Sequence, residues 1–184
     1  MQPQELVVGR VEQIWIYPVR SLSGASLPAV RVGRSGLDGD RAWTAVGDDG
    51  AVLRAKELPA MRDVAGTGDP STDAAALGAV LGRPVRLEAT TAGPGEVAPV
   101  HLVSRQAIER AAAGDVPEGC SADDPRANLV LTLGGEQDER AWTGRRLTVG
   151  SAVLEVTRTP KHCLGVYADV RTTGEVRVGD PVLL

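Results

Sequence analysis

A mixed, mainly β fold, a β-barrel with a few short helices, is what this chain of 184 residues predicts. Many short β-prone runs are separated by Gly-rich turns, the pattern of a sandwich or barrel. Only two runs read as helices. Aromatic residues make up 3% of the chain and Phe is absent, so the core has to be built from Val, Leu and Ala.

In chain order, Val11 to Tyr17 is apolar and β-prone and is limited by Pro18. Leu27 to Val32 is a second strand. Arg41 to Val46 and Ala51 to Ala55 flank the turn-forming Gly47-Asp-Asp-Gly50 and read as a hairpin. Val85 to Leu87, Leu129 to Leu133, Arg146 to Val149, Val153 to Thr157, Glu175 to Val178 and Val182 to Leu184 complete the strands. The first helix covers Asp73 to Leu81, opens after Ser71-Thr72 and stops at Gly82 with Pro84 beyond. In the second, Ser104 caps a run through Ala113 that Gly114 ends. Thr90 to Pro99, rich in Gly, Pro and Ala, reads as a linker or loop. The whole, 1–184, reads as one module with a β-rich region over 1–90 and a second part over 91–184, the two not folding independently.

Composition excludes several function classes. A net charge of -4 argues against a polyanionic partner, and so few aromatics cannot build a base-stacking surface, so no nucleic acid is expected. No run approaches the ~18 apolar residues of a membrane span, and the N-terminus lacks a secretory pattern. The two cysteines, Cys120 and Cys163, read as reduced thiols of a cytoplasmic protein, with a single Cys120–Cys163 disulfide left open. His101 and His162 are the only histidines and form no metal motif. Neither a phosphate-binding loop of the NTPase type nor a Gly-x-Ser-x-Gly elbow is present.

Four places carry chemistry. Cys163 ends a β-like run, with Lys161 and His162 beside it, Arg158 five residues back, and Pro160 and Gly165 placing the thiol in a bend. Cationic neighbours favour the thiolate, the form that ligates metal or attacks sulfur; the bland reading is a small buried hydrophobe. Arg126 and Asn128, in Asp124-Pro-Arg-Ala-Asn128, precede an apolar strand. If the strand already begins there, they share a face. Arg reads phosphates and carbonyls, and Asn both donates and accepts; a turn with a capping Asn is the alternative. Arg20, Ser21 and Arg41 lie in Tyr17-Pro-Val-Arg-Ser21 and Gly36-Leu-Asp-Gly-Asp-Arg41-Ala-Trp43. Two guanidinium groups and a hydroxyl suit a phosphate, though solvated arginines at a strand end are common. Ser104 begins a helix whose free amides suit an anion, or it is a plain cap.

Taken in order, these motifs resemble the MOSC family, named after the C-terminal domain of molybdenum-cofactor sulfurase. The Tyr17 to Trp43 region is similar to the N-terminal barrel of the amidoxime-reducing branch, with Arg20 where that branch usually has Lys. Ala127 stands in for the usual Pro of the Arg-Pro-Asn signature. The resemblance reaches from about Gly9 to Leu183 and makes 91–184 the MOSC core. It implies a molybdenum cofactor (molybdopterin) in one cleft shared by the N- and C-terminal regions. Cys163 would be the metal ligand and catalytic thiol, and Arg20, Ser21, Arg41, Ser104, Arg126, Asn128 and Lys161 would bind the cofactor. The implied activity is reduction of N-hydroxylated small molecules, with separate electron-transfer proteins because no iron–sulfur domain is present. The alternatives are a carrier that passes persulfide sulfur from Cys163, fed by a separate sulfur donor, and a binding barrel without molybdenum. Many relatives carry a long insert after the cysteine, whereas Cys163-Leu-Gly-Val-Tyr-Ala168 is continuous here, which implies a more open pocket, a changed substrate or loss of the cofactor.

Overall fold

The structure is a computed structural model that describes residues 5–91, 99–116, 118, 120 and 125–184. Most of the proposed linker, 92–98, and Asp124 of the Arg126 motif lie outside them. The chain forms two compact units, each assembled from separate stretches of sequence.

The first unit comprises residues 1–15, 27–38 and 97–184. Its centre is a closed barrel of seven strands. These are β1 (Val7–Ile16, whose last residue falls in the second unit), β7 (Val100–Ser104), β8 (Leu129–Leu133), β9 (Arg146–Val149), β10 (Ala152–Arg158), β11 (Val166–Thr172) and β13 (Pro181–Leu183). Around the barrel the order is β13-β9-β10-β11-β7-β8-β1, and β1 pairs back onto β13. Every neighbouring pair is antiparallel except β7 and β8. Alternation builds the interior: in β10, Ala152, Leu154 and Val156 are buried while the residues between them are not. A barrel of this size is filled by side chains, and Ile14, Leu102, Leu129, Leu131, Leu147, Leu154 and Val166 fill it without a single Phe.

Parallel strands need a crossover, and here it contains helix α2 (Arg105–Ala112). Ser104 caps it as expected, its Oγ accepting the Ala107 N–H at 2.9 Å. Ala107 and Ala111 pack on Val103 and Val130, with Ala127 and Leu164 completing the cluster. β7 is therefore covered on both faces and buried throughout. A small sheet of β3 (Ala29–Gly33), β4 (Gly36–Leu37) and β12 (Gly174–Arg177) belongs to the same unit.

The second unit comprises residues 16–26 and 39–96. β5 (Trp43–Gly47) pairs with β6 (Val85–Ala89), and α1 (Pro70–Leu81) and a 3-10 turn (Pro59–Asp63) supply much of the rest. Val19, Leu22, Ala45, Met61 and Leu77 form its core.

Several expectations need correction. Ala51 to Ala55 is not a strand. The turn at Gly47 to Gly50 closes, but only one bridge, Val46 to Val52, follows it. The long-range partner β6 takes one edge of β5, and Val19, bridged to Trp43, occupies part of the other. Helix α1 begins at Pro70, with Asp69 as its cap, three residues earlier than the helical run suggests. Leu27 to Val32 is interrupted at Pro28, between β2 (Ala25–Leu27) and β3. The alternation of Val166, Ala168 and Val170 in β11 is a strand signal that went unread.

Candidate functional site

In the second unit, four hydrogen bonds interlock the Tyr17 to Ser21 turn with the Asp40 to Trp43 segment. Arg41 N donates to Tyr17 O at 2.7 Å, Trp43 N to Pro18 O at 3.0 Å, and Arg20 N to Trp43 O at 2.9 Å. The Tyr17 N–H donates to Asp40 Oδ1 at 2.8 Å. Asp40 Oδ2 also pairs with the Arg41 guanidinium at 3.3 Å. The motifs that sequence reading linked are thus joined through Asp40. Arg20 Nε is buried and has no hydrogen-bond partner among the described residues. A buried donor of this kind is rare and calls for an acceptor.

In the first unit, the turn after β10 carries Cys163, half-buried, with the thiol donating to Pro125 O at 3.7 Å. The next residue is held from below. The buried His101 on β7 donates its Nε2–H to Leu164 O at 2.7 Å. Because a carbonyl only accepts, this bond fixes the imidazole tautomer. The ring also packs against Tyr167, tilted by 51° with centroids 4.8 Å apart, and Arg158 sits over the Tyr167 ring at 5.1 Å. Gly165 has φ +77, and a Cβ there would lie 2.0 Å from Leu102 O. Only glycine allows this turn to lie so close to β7.

Asn128 ties three segments together. Its Oδ1 accepts His101 N–H at 3.0 Å and its Nδ2 donates to Trp15 O at 3.2 Å, while its own N–H reaches His101 O at 2.8 Å. It is fully buried, and β8 begins only at Leu129. Arg126 and Asn128 are therefore not two residues on one strand face. Arg126, half-buried, adopts φ 51. Ser104 is also fully buried, with its Oγ given to the α2 cap and its N–H to Glu139 Oε1 at 2.8 Å. Lys161 and His162 are exposed, and the His162 ring meets Glu118 O at 2.9 Å.

Among the described residues, the non-glycine residues with positive φ are Ser21 (72), Arg41 (50) and Arg126 (51). All three were singled out from sequence as candidate site residues. Such conformations cost about 1–2 kcal/mol each and collect where function demands them. The candidates divide between the units: Arg20, Ser21 and Arg41 in one, Ser104, Arg126, Asn128, Lys161 and Cys163 in the other. Gly165 is legible in sequence as a bend residue beside Cys163, whereas His101, which bonds to the residue after Cys163, was missed as a site residue. Nothing local in sequence marks a histidine that will bond to a carbonyl 63 positions away.

No group of three or more His, Cys, Asp and Glu that could hold a metal comes together among the described residues. A metal carried chiefly by an organic cofactor needs only one protein ligand. No helix among them is long and apolar enough to cross a membrane.

A closed β-barrel with a half-buried cysteine in a turn beside one of its strands defines the class. The particular family follows from comparison. The chain belongs to the MOSC family: the model of the MOSC N-terminal beta barrel domain matches residues 8–112, more than half its length. Among solved structures, the YUAD protein from Bacillus subtilis is similar over 98% of this chain and 96% of its own, with a TM-score of 0.58 and 13% identity. A hypothetical protein is similar over 98% of this chain and 69% of its own, with a TM-score of 0.53 and 13% identity. At this identity the likeness is one of fold. No curated protein matches in sequence.

Proposed function

We propose that this protein holds a molybdenum cofactor through the Cys163 thiolate and reduces N-hydroxylated small molecules. The observation that carries the reading is that, among the described residues, left-handed non-glycine backbone is confined to Ser21, Arg41 and Arg126, residues of the motifs that resemble the family's cofactor-binding positions. The residues fit such a group on a second count. Arg20 Nε, buried and unmatched among the described residues, suits the oxygens of a cofactor phosphate, which guanidinium groups bind in preference to most other anions. A soft thiolate suits molybdenum.

Arg20, Ser21, Arg41 and Arg126 would bind and orient the cofactor, with the exposed Lys161 adding positive charge. Ser104 and Asn128 would shape its surroundings through the hydrogen bonds they already make. His101 and Gly165 would hold Cys163 in position. When bound, the group supplies the two-electron, two-proton reduction of an N-hydroxyl group to the amine and water. A separate electron-transfer protein in the cytoplasm would supply the electrons.

Variants test this reading. In protein from a host that makes molybdopterin, Cys163→Ala should lose molybdenum and Arg126→Ala should lose at least about nine-tenths of the pterin, a penalty of ~1.4 kcal/mol or more in binding. Retention of both groups by both variants would contradict the assignment. A persulfide on Cys163, found by mass spectrometry in protein lacking molybdenum, would favour the sulfur-carrier reading. A well-folded protein with neither group would favour a binding barrel.

A further inference from the structure

The chain has two cysteines, Cys120 and Cys163. Cys120 packs against the cluster formed by Val103, Ala107, Ala111, Ala127, Val130 and Leu164. Leu164 directly follows Cys163. The carbonyls of Glu118 and Pro125, on either side of Cys120 in sequence, meet His162 and Cys163 at 2.9 and 3.7 Å. Two contacts therefore join Glu118 and Pro125 to the turn that holds Cys163, and Cys120 packs against the cluster that includes the residue after it. Both thiols are half-buried.

We propose that Cys120 is the resolving thiol of Cys163, so that oxidation of Cys163 ends in a reversible intramolecular disulfide. The oxidant is a hydroperoxide. The Cys163 thiol gives up its proton, and its sulfur attacks the terminal oxygen. The O–O bond breaks, an S–O bond forms, and an alcohol (or water, from hydrogen peroxide) leaves with that proton. Cys120 sulfur then displaces the hydroxyl, which leaves as water with the Cys120 proton. The two sulfurs together give two electrons to the peroxide. The bond would protect Cys163 from irreversible oxidation and withdraw it as a metal ligand until a thiol reductant restores it. This pairing goes beyond the cofactor reading and stands without it, because it needs only the two thiols.

A thiol on the same chain acts at an effective concentration of about millimolar, so at micromolar protein the internal bond should outrun cross-linking between molecules about a hundredfold or more. The test uses the full reduced chain, free of metal and treated with hydrogen peroxide. Trypsin separates the two thiols into peptides 111–126 and 162–171. The expected result is loss of both titratable thiols, a monomer lighter by two hydrogens, and a cross-linked pair of these peptides that dithiothreitol releases. In Cys120→Ser the cross-link should be absent, and Cys163 should accumulate as a sulfenic acid trapped by dimedone. An unchanged far-ultraviolet circular dichroism spectrum shows that this variant is folded. Persistent sulfenic acid on Cys163 in the wild-type protein, or disulfides only between molecules, would overturn the proposal.

Discussion

At Arg126 the backbone holds φ 51 beneath a long cationic side chain, a conformation that glycine adopts freely and other residues rarely do. If the side chain is kept there for binding, removing it should stabilise the fold. Arg126→Gly should raise the unfolding free energy by about 1 kcal/mol in urea melts while lowering pterin content, a trade of stability for function. A loss of stability would mean that the guanidinium itself holds the fold together. Gly165 is the opposite case. With φ +77 and Leu102 O 2.0 Å from where a Cβ would stand, Gly165→Ala should cost at least about 2 kcal/mol, read by the same melts. These two residues also mark how far sequence carries. Arg126 was legible because its chemistry is local and sits in a motif. Gly165 was legible only as a bend residue and His101 not at all as a positioning residue, since both meet carbonyls that only the closed barrel brings near.

At the scale of elements, β1, β8 and α2 are tied by one cluster. Glu12 on β1 pairs with the Arg105 guanidinium at the start of α2, through Nε at 3.0 Å and through Nη2, and accepts from Thr132 Oγ1 on β8 at 2.7 Å. The Arg105 hydrogen bond, more than any other contact, holds the Glu12 carboxyl below the usual carboxylate range, against a smaller opposing effect of burial. A depressed folded pKa means that the unfolded chain takes up the proton first. The contribution of the pair is therefore complete above the unfolded value and is lost as pH falls through the folded one. Both side chains are about a third exposed, so the pair is worth ~0.5–1 kcal/mol. Glu12→Gln should lower stability by that amount at neutral pH, and the gap from wild type should close on acidification and narrow in high salt. A gap independent of pH would show that packing, not charge, binds these elements. Element identities were mostly readable because alternation and caps are local: Leu129 to Leu133 and Arg146 to Val149 form strands over the residues their pattern marks. The error at Ala51 to Ala55 has a general cause. A turn signal names the nearest partner, whereas β5 pairs with β6, nearly forty residues away.

For the molecule as a whole, the barrel is completed by strands that lie beyond the matched family region as well as within it: β8, β9, β10, β11 and β13 follow residue 112. The candidate residues are as dispersed, from Arg20 to Cys163, and both compact units draw on separated stretches of chain. Which strands close a barrel depends on pairings as distant as Val7 with Leu183, and no local pattern encodes these. The central claim is that this assembly carries a molybdenum cofactor. Its most direct test is the molybdenum and pterin content of the wild-type protein, purified from a host that makes molybdopterin. The account predicts roughly one of each per chain, as expected where the cofactor carries the chemistry and the protein holds it. A folded protein containing neither would contradict it.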